Sequence, residues 1–411
     1  MEPITHFLTG ACIGRAGLNR KTAYATLAAV LAAEAADIDV LWGLAGPVEE
    51  LKHHRGITHT FIAVPVVAAA AVGAVWLYDR WVRARGRRKL AMAEKEKPVE
   101  VRGLPPFPQK EQPQVLRLRF ASLRMTGHGA IFGGPAGNPS PRQEIRWGWL
   151  YLTALISALC HLLLDWTNNY GLRPFFPFNP RWYAGSFVFI YEPVLWVLLG
   201  AALVIPALLG LADSEIGARK KPFRGRGWAI FALTGMVLLW GWRWSEQGRA
   251  RMLVENAGIA AAPVKRIALE PYPINPFHWY AILETAEYFQ TAEINTLSGE
   301  ITSDPRRNVL YKPPATAAVE TAKRTLLGQV YLDWGAWAMV RDVGPVAAPG
   351  MTPPQLPPNR RWTTVEFYDL RFNYLFPGAG RTPGRQPLSG WVYIVDGRDE
   401  AGEAMNGREQ R

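Results

Sequence analysis

The chain has 411 residues, of which 49% are hydrophobic and 19% are charged, and its formal net charge is +12. This length is enough for two or more domains. The two cysteines, Cys12 and Cys160, lie in apolar surroundings and exclude a disulfide framework or a paired-cysteine metal motif. The basic residues lie mostly between apolar runs, which favours contact with anionic lipid over nucleic-acid binding, although solvated loops have the same composition.

Four apolar segments have the length of membrane-spanning helices. Each is close to the ~20 residues that a helix needs to cross the hydrocarbon core. Trp and Tyr cluster at their ends, as expected at a membrane interface. The predicted spans are residues 60–78, 147–166, 187–212 and 227–244. A further region, 22–46, is Ala-rich but carries three acids, so it is an ambiguous candidate.

Loop charges predict how the spans are oriented. Residues 79–146 and 213–226 are rich in Lys and Arg, so the positive-inside rule places them in the cytoplasm. Residues 43–59, residues 167–186 and everything after 245 then lie on the outer side. The sequence therefore predicts a multi-pass protein of the cytoplasmic membrane.

The composition changes along the chain and predicts separate domains. Residues 1–84 and 147–250 form the membrane part, and 85–146, rich in Pro, Gly and charge, is predicted to be an irregular basic cytoplasmic loop. Between 265 and 400, alternating polar and apolar residues predict strands at 278–301, 363–376 and 390–397, with a helix near 315–340. The predicted fold is mainly α: a polytopic helical membrane bundle with a small β-rich (α+β) extracytoplasmic domain and a disordered tail at 401–411.

Ionisable residues gather at the edges of the apolar segments, above all in "ELKHHRGITHTF" at 50–61. Two acids end the first apolar region, three histidines precede the first clear span, and one His and one Asp lie a helical turn apart near the end of the second span. The predicted orientation places all of them on the same side of the membrane. These residues are Asp37, Asp39, His53, His54, His59, His161 and Asp165.

A divalent metal ion is the most economical partner for such a set. A charge at the centre of a membrane helix costs on the order of 2.5–3.5 kcal/mol unless it is partnered. His nitrogen and carboxylate oxygen are ligands of zinc, manganese and iron, and more than four ligands would allow two ions. Each piece alone has another explanation: "HHRGITH" could bind lipid head groups, "DID" could cap a helix, and Glu34 could be a base or simply face a neighbouring helix.

Four motifs together resemble the YdjM-like family of bacterial inner-membrane metal-dependent hydrolases. They are "ITHFLTGACIGRAGLNRKT", "AADIDVL", "HHRGITHT" and "HLLLDWTNNYGLRPFFPF". The resemblance covers about residues 1–212, with 85–146 as an insertion, and Ala36 stands where the family usually has Pro. It implies a metal-dependent hydrolase that is distantly similar to zinc-dependent phospholipase C.

The resemblance also implies site residues. Arg55 would bind phosphate, because a guanidinium matches two phosphate oxygens. Glu192, where relatives often have Asp, would be an additional ligand. The cofactor would be one or two zinc ions, with manganese or iron as alternatives. The implied metal ligands are His6, Asp37, Asp39, His54, His59, His161, Asp165 and Glu192.

His6 tests the arrangement of the first 46 residues. If 22–46 crosses the membrane once, His6 lies on the face opposite to the other ligands. If 4–14 and 22–36 form a re-entrant hairpin, His6 returns to them. Half-length helices at membrane depth are tolerated when they are buried against protein, so we expect the hairpin.

The function expected from these patterns is hydrolysis at the outer face of the bilayer. The substrate would be a small amphiphilic phosphoester or ester, with Asp39, Arg55 and Glu34 as catalytic residues and membrane lipids as partners. A metal-ion transporter or sensor would use the same ligands. A third alternative is an envelope-assembly protein that binds a protein partner through residues 265–400.

Overall fold

A computed structural model describes residues 1–95, 143–215, 225–374 and 386–410. The predicted cytoplasmic loop at 85–146 falls mostly outside these residues. Its first part, up to Lys95, is helical and continues the preceding helix.

Nine α-helices lie within the described residues, and 3₁₀ segments lie at Leu18–Arg20, Ala35–Leu44, Ile57–His59 and Leu370–Phe372. The helices are α1 Pro3–Arg15, α2 Ala25–Glu34, α3 Pro47–His53, α4 Ala63–Lys95, α5 Trp147–Thr167, α6 Pro193–Glu215, α7 Arg226–Ala257, α8 Ala317–Ala322 and α9 Leu326–Trp334.

Three described helices are long and apolar enough to cross a membrane. They contain the segments Ala63–Gly86, Trp147–Thr167 and Pro193–Asp213. Three of the four predicted spans are therefore helices of the length and apolar character that a span needs. The fourth, at 227–244, is helical as part of α7 but is not among them, because its tryptophans and Arg243 make it less apolar.

The N-terminal residues form the expected hairpin of two short helices. At about 1.5 Å per residue, the 13 residues of α1 reach about 20 Å, which is less than the ~30 Å hydrocarbon core. Glycine lets the helices approach closely: a Cβ on Gly14 would lie 2.5 Å from Thr26 Cα. Ser157 of α5 donates a hydrogen bond to Ala29 O at 2.6 Å, which ties the hairpin to a candidate span.

The C-terminal part contains two five-stranded antiparallel sheets, as the β-rich pattern predicted. The first has the order β1-β2-β3-β4 with β5 paired to β3, and the second has the order β10-β9-β8-β7-β6. The strands are β1 Arg266–Pro271, β2 His278–Glu284, β3 Tyr288–Asn295, β4 Glu300–Thr302, β5 Val309–Tyr311, β6 Ala338–Asp342, β7 Trp362–Asp369, β8 Gly390–Val395, β9 Asp399–Met405 and β10 Arg408–Glu409.

Two predictions for this part need correction. The single helix expected at 315–340 is divided into α8, α9 and β6, and Gly335 caps the end of α9. The disordered tail expected at 401–411 is wrong up to residue 410, because β9 and β10 form a hairpin. Asn406 and Gly407 both have positive φ, which suits a tight hairpin turn, and Met405 is buried beside β8.

The sheets pack against the helical bundle. Trp279 and Leu283 of β2 share one apolar core with Leu199 of α6 and Val254 of α7. In a second core, α3 packs with the loop after α5 and with the second sheet. The sheet domain therefore contacts the segments that lead into and out of the site described next.

Candidate metal centre

Four ionisable residues from three parts of the chain meet at one end of the bundle. Asp37 lies in the 3₁₀ segment after α2, His59 in the turn before α4, and His161 and Asp165 one turn apart on α5. One ligand atom from each lies within 4.8 Å of the others, so the group could hold a metal ion. Three of the four side chains are buried, and Asp37 is half-buried.

His59 is at the centre of this group. Its Nε2 lies 3.0 Å from His161 Nε2, 3.2 Å from Asp37 Oδ1 and 3.3 Å from Asp165 Oδ2. His161 Nε2 lies 3.3 Å from Asp165 Oδ2 and 3.7 Å from Asp37 Oδ1. Two imidazole nitrogens and two carboxylate oxygens therefore face the same small volume.

The other ring nitrogen of each histidine faces an acceptor. His161 Nδ1 lies 2.6 Å from Ala33 O, a carbonyl in the last turn of α2, and His59 Nδ1 lies 3.2 Å from Asp39 Oδ2. Each ring can therefore donate an Nδ1–H to its acceptor. The two Nε2 atoms face each other, and either a shared proton or a metal ion bound by both would satisfy them. A histidine whose Nδ1–H has an acceptor offers Nε2, as metal-binding histidines do.

Pairs of opposite charge set the electrostatics of the group. Burial lowers the pKa of His59, but hydrogen bonds to Asp165, Asp37 and Asp39 outweigh burial and raise that pKa to about 10. Burial raises the pKa of Asp37, but the hydrogen bond from His59 and the nearby histidines lower it to about 2. Both shifts follow from pairing an imidazole with a carboxylate, which stabilises the charged form of each group.

Asp39 holds the turn that carries the histidines. Its Oδ2 accepts hydrogen bonds from Arg55 N at 2.8 Å and from Thr58 Oγ1 at 3.2 Å, and its Oδ1 lies 3.3 Å from His54 Nδ1. Arg55 has φ +52, so the turn is tight at this position. Asp39 and His54 lie beside the four-residue group, and their roles as ligands or base stay predictions.

Arg55 is buried and directed inward. Its Nη2 lies 2.8 Å from Asp165 Oδ1, and its Nη1 donates to Gly171 O at 2.9 Å and to Asn168 Oδ1 at 3.3 Å. The Met1 amino group also contacts Asp165 Oδ1. Both Nη atoms of Arg55 have partners inside the protein, so the expected phosphate contact would require it to release one of them. The geometry favours a role in holding the Asp165 carboxylate.

The hairpin returns His6 to the group. Its ring stacks on His161 with centroids 3.9 Å apart, and its Nε2 lies 3.4 Å from Asp165 Oδ1. Glu34, at the end of α2, is half-buried, and its Oε1 has no hydrogen-bond partner among the described residues. Burial, followed by the charges of Asp37 and Glu2, raises the pKa of Glu34 to about 7.

Glu192 lies outside the group and has other partners. Its Oε2 lies 2.7 Å from Arg243 Nη2, and its Oε1 accepts a hydrogen bond from Ile274 N at 3.1 Å. Because it pairs with an arginine of α7 and a loop of the sheet domain, the structure does not bring it together with the other implied ligands.

Sequence reasoning missed three residues that support the site. Thr58 bonds to Asp39 and also lies 3.0 Å from His59 Nδ1. Asn168 accepts from Arg55 and from the backbone of Tyr170, whose ring lies 4.7 Å from the Arg55 guanidinium carbon. All three residues lie inside the motifs that carry the family resemblance. This position could have identified them, because polar residues next to metal ligands often orient those ligands.

The fold and this group define a polytopic helical membrane protein with an Asp/His cluster at one end of its bundle. The chain belongs to the YdjM inner membrane protein family, which matches residues 1–250. This match confirms the resemblance, extends it to α7 and supports an inner-membrane location. No curated protein and no solved structure matches the chain.

Proposed function

We propose that this protein is an integral-membrane metal-dependent hydrolase that acts at the outer face of the bilayer on a phosphoester or ester of an amphiphilic, lipid-like substrate. One observation carries the proposal: His59 Nε2 and His161 Nε2 lie 3.0 Å apart, with carboxylate oxygens of Asp37 and Asp165 within 3.7 Å. A cation held among these nitrogens and oxygens, either a metal ion or a shared proton, would satisfy all four groups.

The donor set fits zinc, with manganese or iron as alternatives. Asp37, His59, His161 and Asp165 would hold the ion. When bound, a divalent metal lowers the pKa of a water molecule and polarises a substrate phosphoryl or carbonyl oxygen. The Ala33 carbonyl and Asp39 orient the two imidazoles, and Arg55 orients the Asp165 carboxylate.

We assign substrate access, and proton transfer to and from the substrate, to the more exposed side of the group. The side chain of His54 is 28% exposed and that of Asp37 is 22% exposed, whereas the His59, His161 and Asp165 side chains are completely buried. We assign proton exchange with the substrate to the His54–Asp39 pair, because His54 is the site histidine that solvent reaches. Glu34 is the alternative base.

The extracytoplasmic placement rests on charge and on shared position. The site lies where α5 ends and α4 begins, and the basic stretch 79–146 joins the opposite ends of these two helices. The positive-inside rule favours a cytoplasmic location for that stretch. The sheet domain contacts α3 and the loop after α5, so we place it on the same side as the site.

The test is metal content and hydrolysis in purified protein. In detergent, the protein should contain about one or two equivalents of a divalent metal by elemental analysis, in keeping with a site of this ligand count, and should hydrolyse a phosphodiester. His161→Ala should lose both properties. His278→Ala, a partly exposed histidine in β2, is the matched control and should keep both. Full activity in a His54→Ala, His161→Ala double variant would refute the proposal.

A transport function makes a different prediction. A transporter needs ligands along its path, and a single group of metal-binding character is found among the described residues, at one end of the bundle. Metal uptake into proteoliposomes without phosphodiester hydrolysis would favour transport over catalysis.

A further inference from the structure

The 3₁₀ segment that carries Asp37 exposes a dense set of large apolar side chains. Asp37 and Asp39 face the site, while Ile38, Leu41 and Leu44 are 60%, 57% and 88% exposed. Val40 and Trp42 are about half exposed as well. A contiguous exposed run of this kind marks a surface that contacts another apolar phase.

A second exposed apolar stretch surrounds His59 in the sequence. Ile57, two residues before His59, is 63% exposed, and Phe61 and Ile62 are exposed too. Phe61 is anchored, because its backbone N–H donates to Pro174 O at 3.0 Å and its ring lies 5.5 Å from that of Phe175. We call the exposed side chains of residues 38–44 and 57–62 the apolar rim.

The apolar rim is continuous with a candidate membrane span. Ala63, the first residue of the span Ala63–Gly86, follows Ile62 directly. The rim therefore lies where this helix leaves the hydrocarbon core. Trp42 stacks on His53 with ring centroids 4.0 Å apart, so an amphipathic ring and a titratable group meet at the edge of the rim. This order of apolar, aromatic and polar groups is that of a membrane interface.

We infer that the apolar rim inserts into the acyl region of one leaflet, so that the Asp/His cluster opens toward lipid. Asp37, the half-buried member of the cluster, directly precedes the first stretch of the rim, and the partly exposed His54 lies three residues before the second. A lipid could place its polar head at these residues while its chains stay among the rim side chains. Insertion itself does not depend on hydrolysis.

Spin-label accessibility tests this inference. Nitroxides are placed at Leu44→Cys and, as a matched control, at Leu297→Cys in the exposed β3–β4 turn, with Cys12 and Cys160 replaced by Ala. The full chain is reconstituted in nanodiscs of phosphatidylethanolamine and phosphatidylglycerol. Power saturation with oxygen, which concentrates in lipid, and with a water-soluble nickel chelate reports the depth of each label.

The expected result is an oxygen-to-nickel accessibility ratio several-fold higher at position 44 than at position 297. Equal ratios would overturn the inference, because position 44 would then be in water. A label at 44 that neither reagent reaches would also overturn it and would indicate a protein partner or a second copy of the chain. A protein that lacks hydrolase activity but shows the high ratio would leave insertion intact and count only against the proposed function.

Discussion

Replacing Glu192 by Gln is expected to destabilise the protein without removing its metal. Glu192 Oε2 lies 2.7 Å from Arg243 Nη2, and both side chains are completely buried. Arg243 Nη1 also donates to Tyr272 O at 3.0 Å, and Glu192 Oε1 accepts from Ile274 N at 3.1 Å. The pair therefore connects the start of α6 and the middle of α7 to the loop after β1.

The expected magnitude follows from the burial of the pair. Removing one partner leaves the other charge buried without compensation, which costs about 3–5 kcal/mol. Glu192→Gln isolates this effect, because the amide keeps the size of the side chain and an oxygen for the Ile274 N–H. The double variant Glu192→Leu, Arg243→Met should cost less than the sum of the single variants, because neither charge remains.

Unfolding in detergent combined with elemental analysis measures both quantities. The control is Glu255→Gln on α7, the helix that carries Arg243. Its exposed pair with Arg251 is 3.7 Å long and should contribute no more than about 1 kcal/mol. A Glu192→Gln protein that loses its metal at unchanged stability would refute this reasoning and would make Glu192 the ligand that the resemblance implies.

Three other outcomes are expected. Gly14→Ala should lower both thermal stability and metal content, because its Cβ would lie 2.5 Å from the backbone of α2, whereas Gly148→Ala, with nothing within 4 Å, should change neither. Arg371→Met should lower the free energy of unfolding by about 3–5 kcal/mol, because the buried guanidinium donates to Asn169 O in the loop after α5 and pairs with the buried Asp369 carboxylate of the second sheet. An unchanged denaturant midpoint would contradict this. In equilibrium dialysis with zinc, His161→Ala should weaken binding more than His54→Ala, because His54 lies outside the four-residue group, and the reverse order would show that the ion lies nearer Asp39.

Much of the site could be predicted because its parts are local. The spacing of His161 and Asp165 places both on one face of α5 whatever the helix packs against, and apolar length alone predicts three of the spans. The hairpin at the N-terminus was predicted because it returns His6 to the other ionisable residues and because buried half-length helices are tolerated, and His6 does stack on His161. Alternating residues predicted β2, β3, β7 and β8 but not the strands at the edges of the sheets.

The partners that individual side chains choose could not be predicted in this way. Arg55 faces Asp165 instead of an open phosphate site, and Glu192 faces Arg243 instead of the metal group. The tail after residue 400 is ordered because β8 offers it an edge to pair with.

The sequence by itself determined which ionisable residues stand at the ends of which helices. Spacing along a helix sets the direction in which each side chain points, and hydropathy sets the depth of the helix in the membrane. Only the tertiary structure decided which nitrogen of His161 is left for a cation, since Ala33 O, 128 residues away along the chain, takes the other one. Contacts between distant segments depend on how helices and sheets pack, and that geometry is a property of the whole fold.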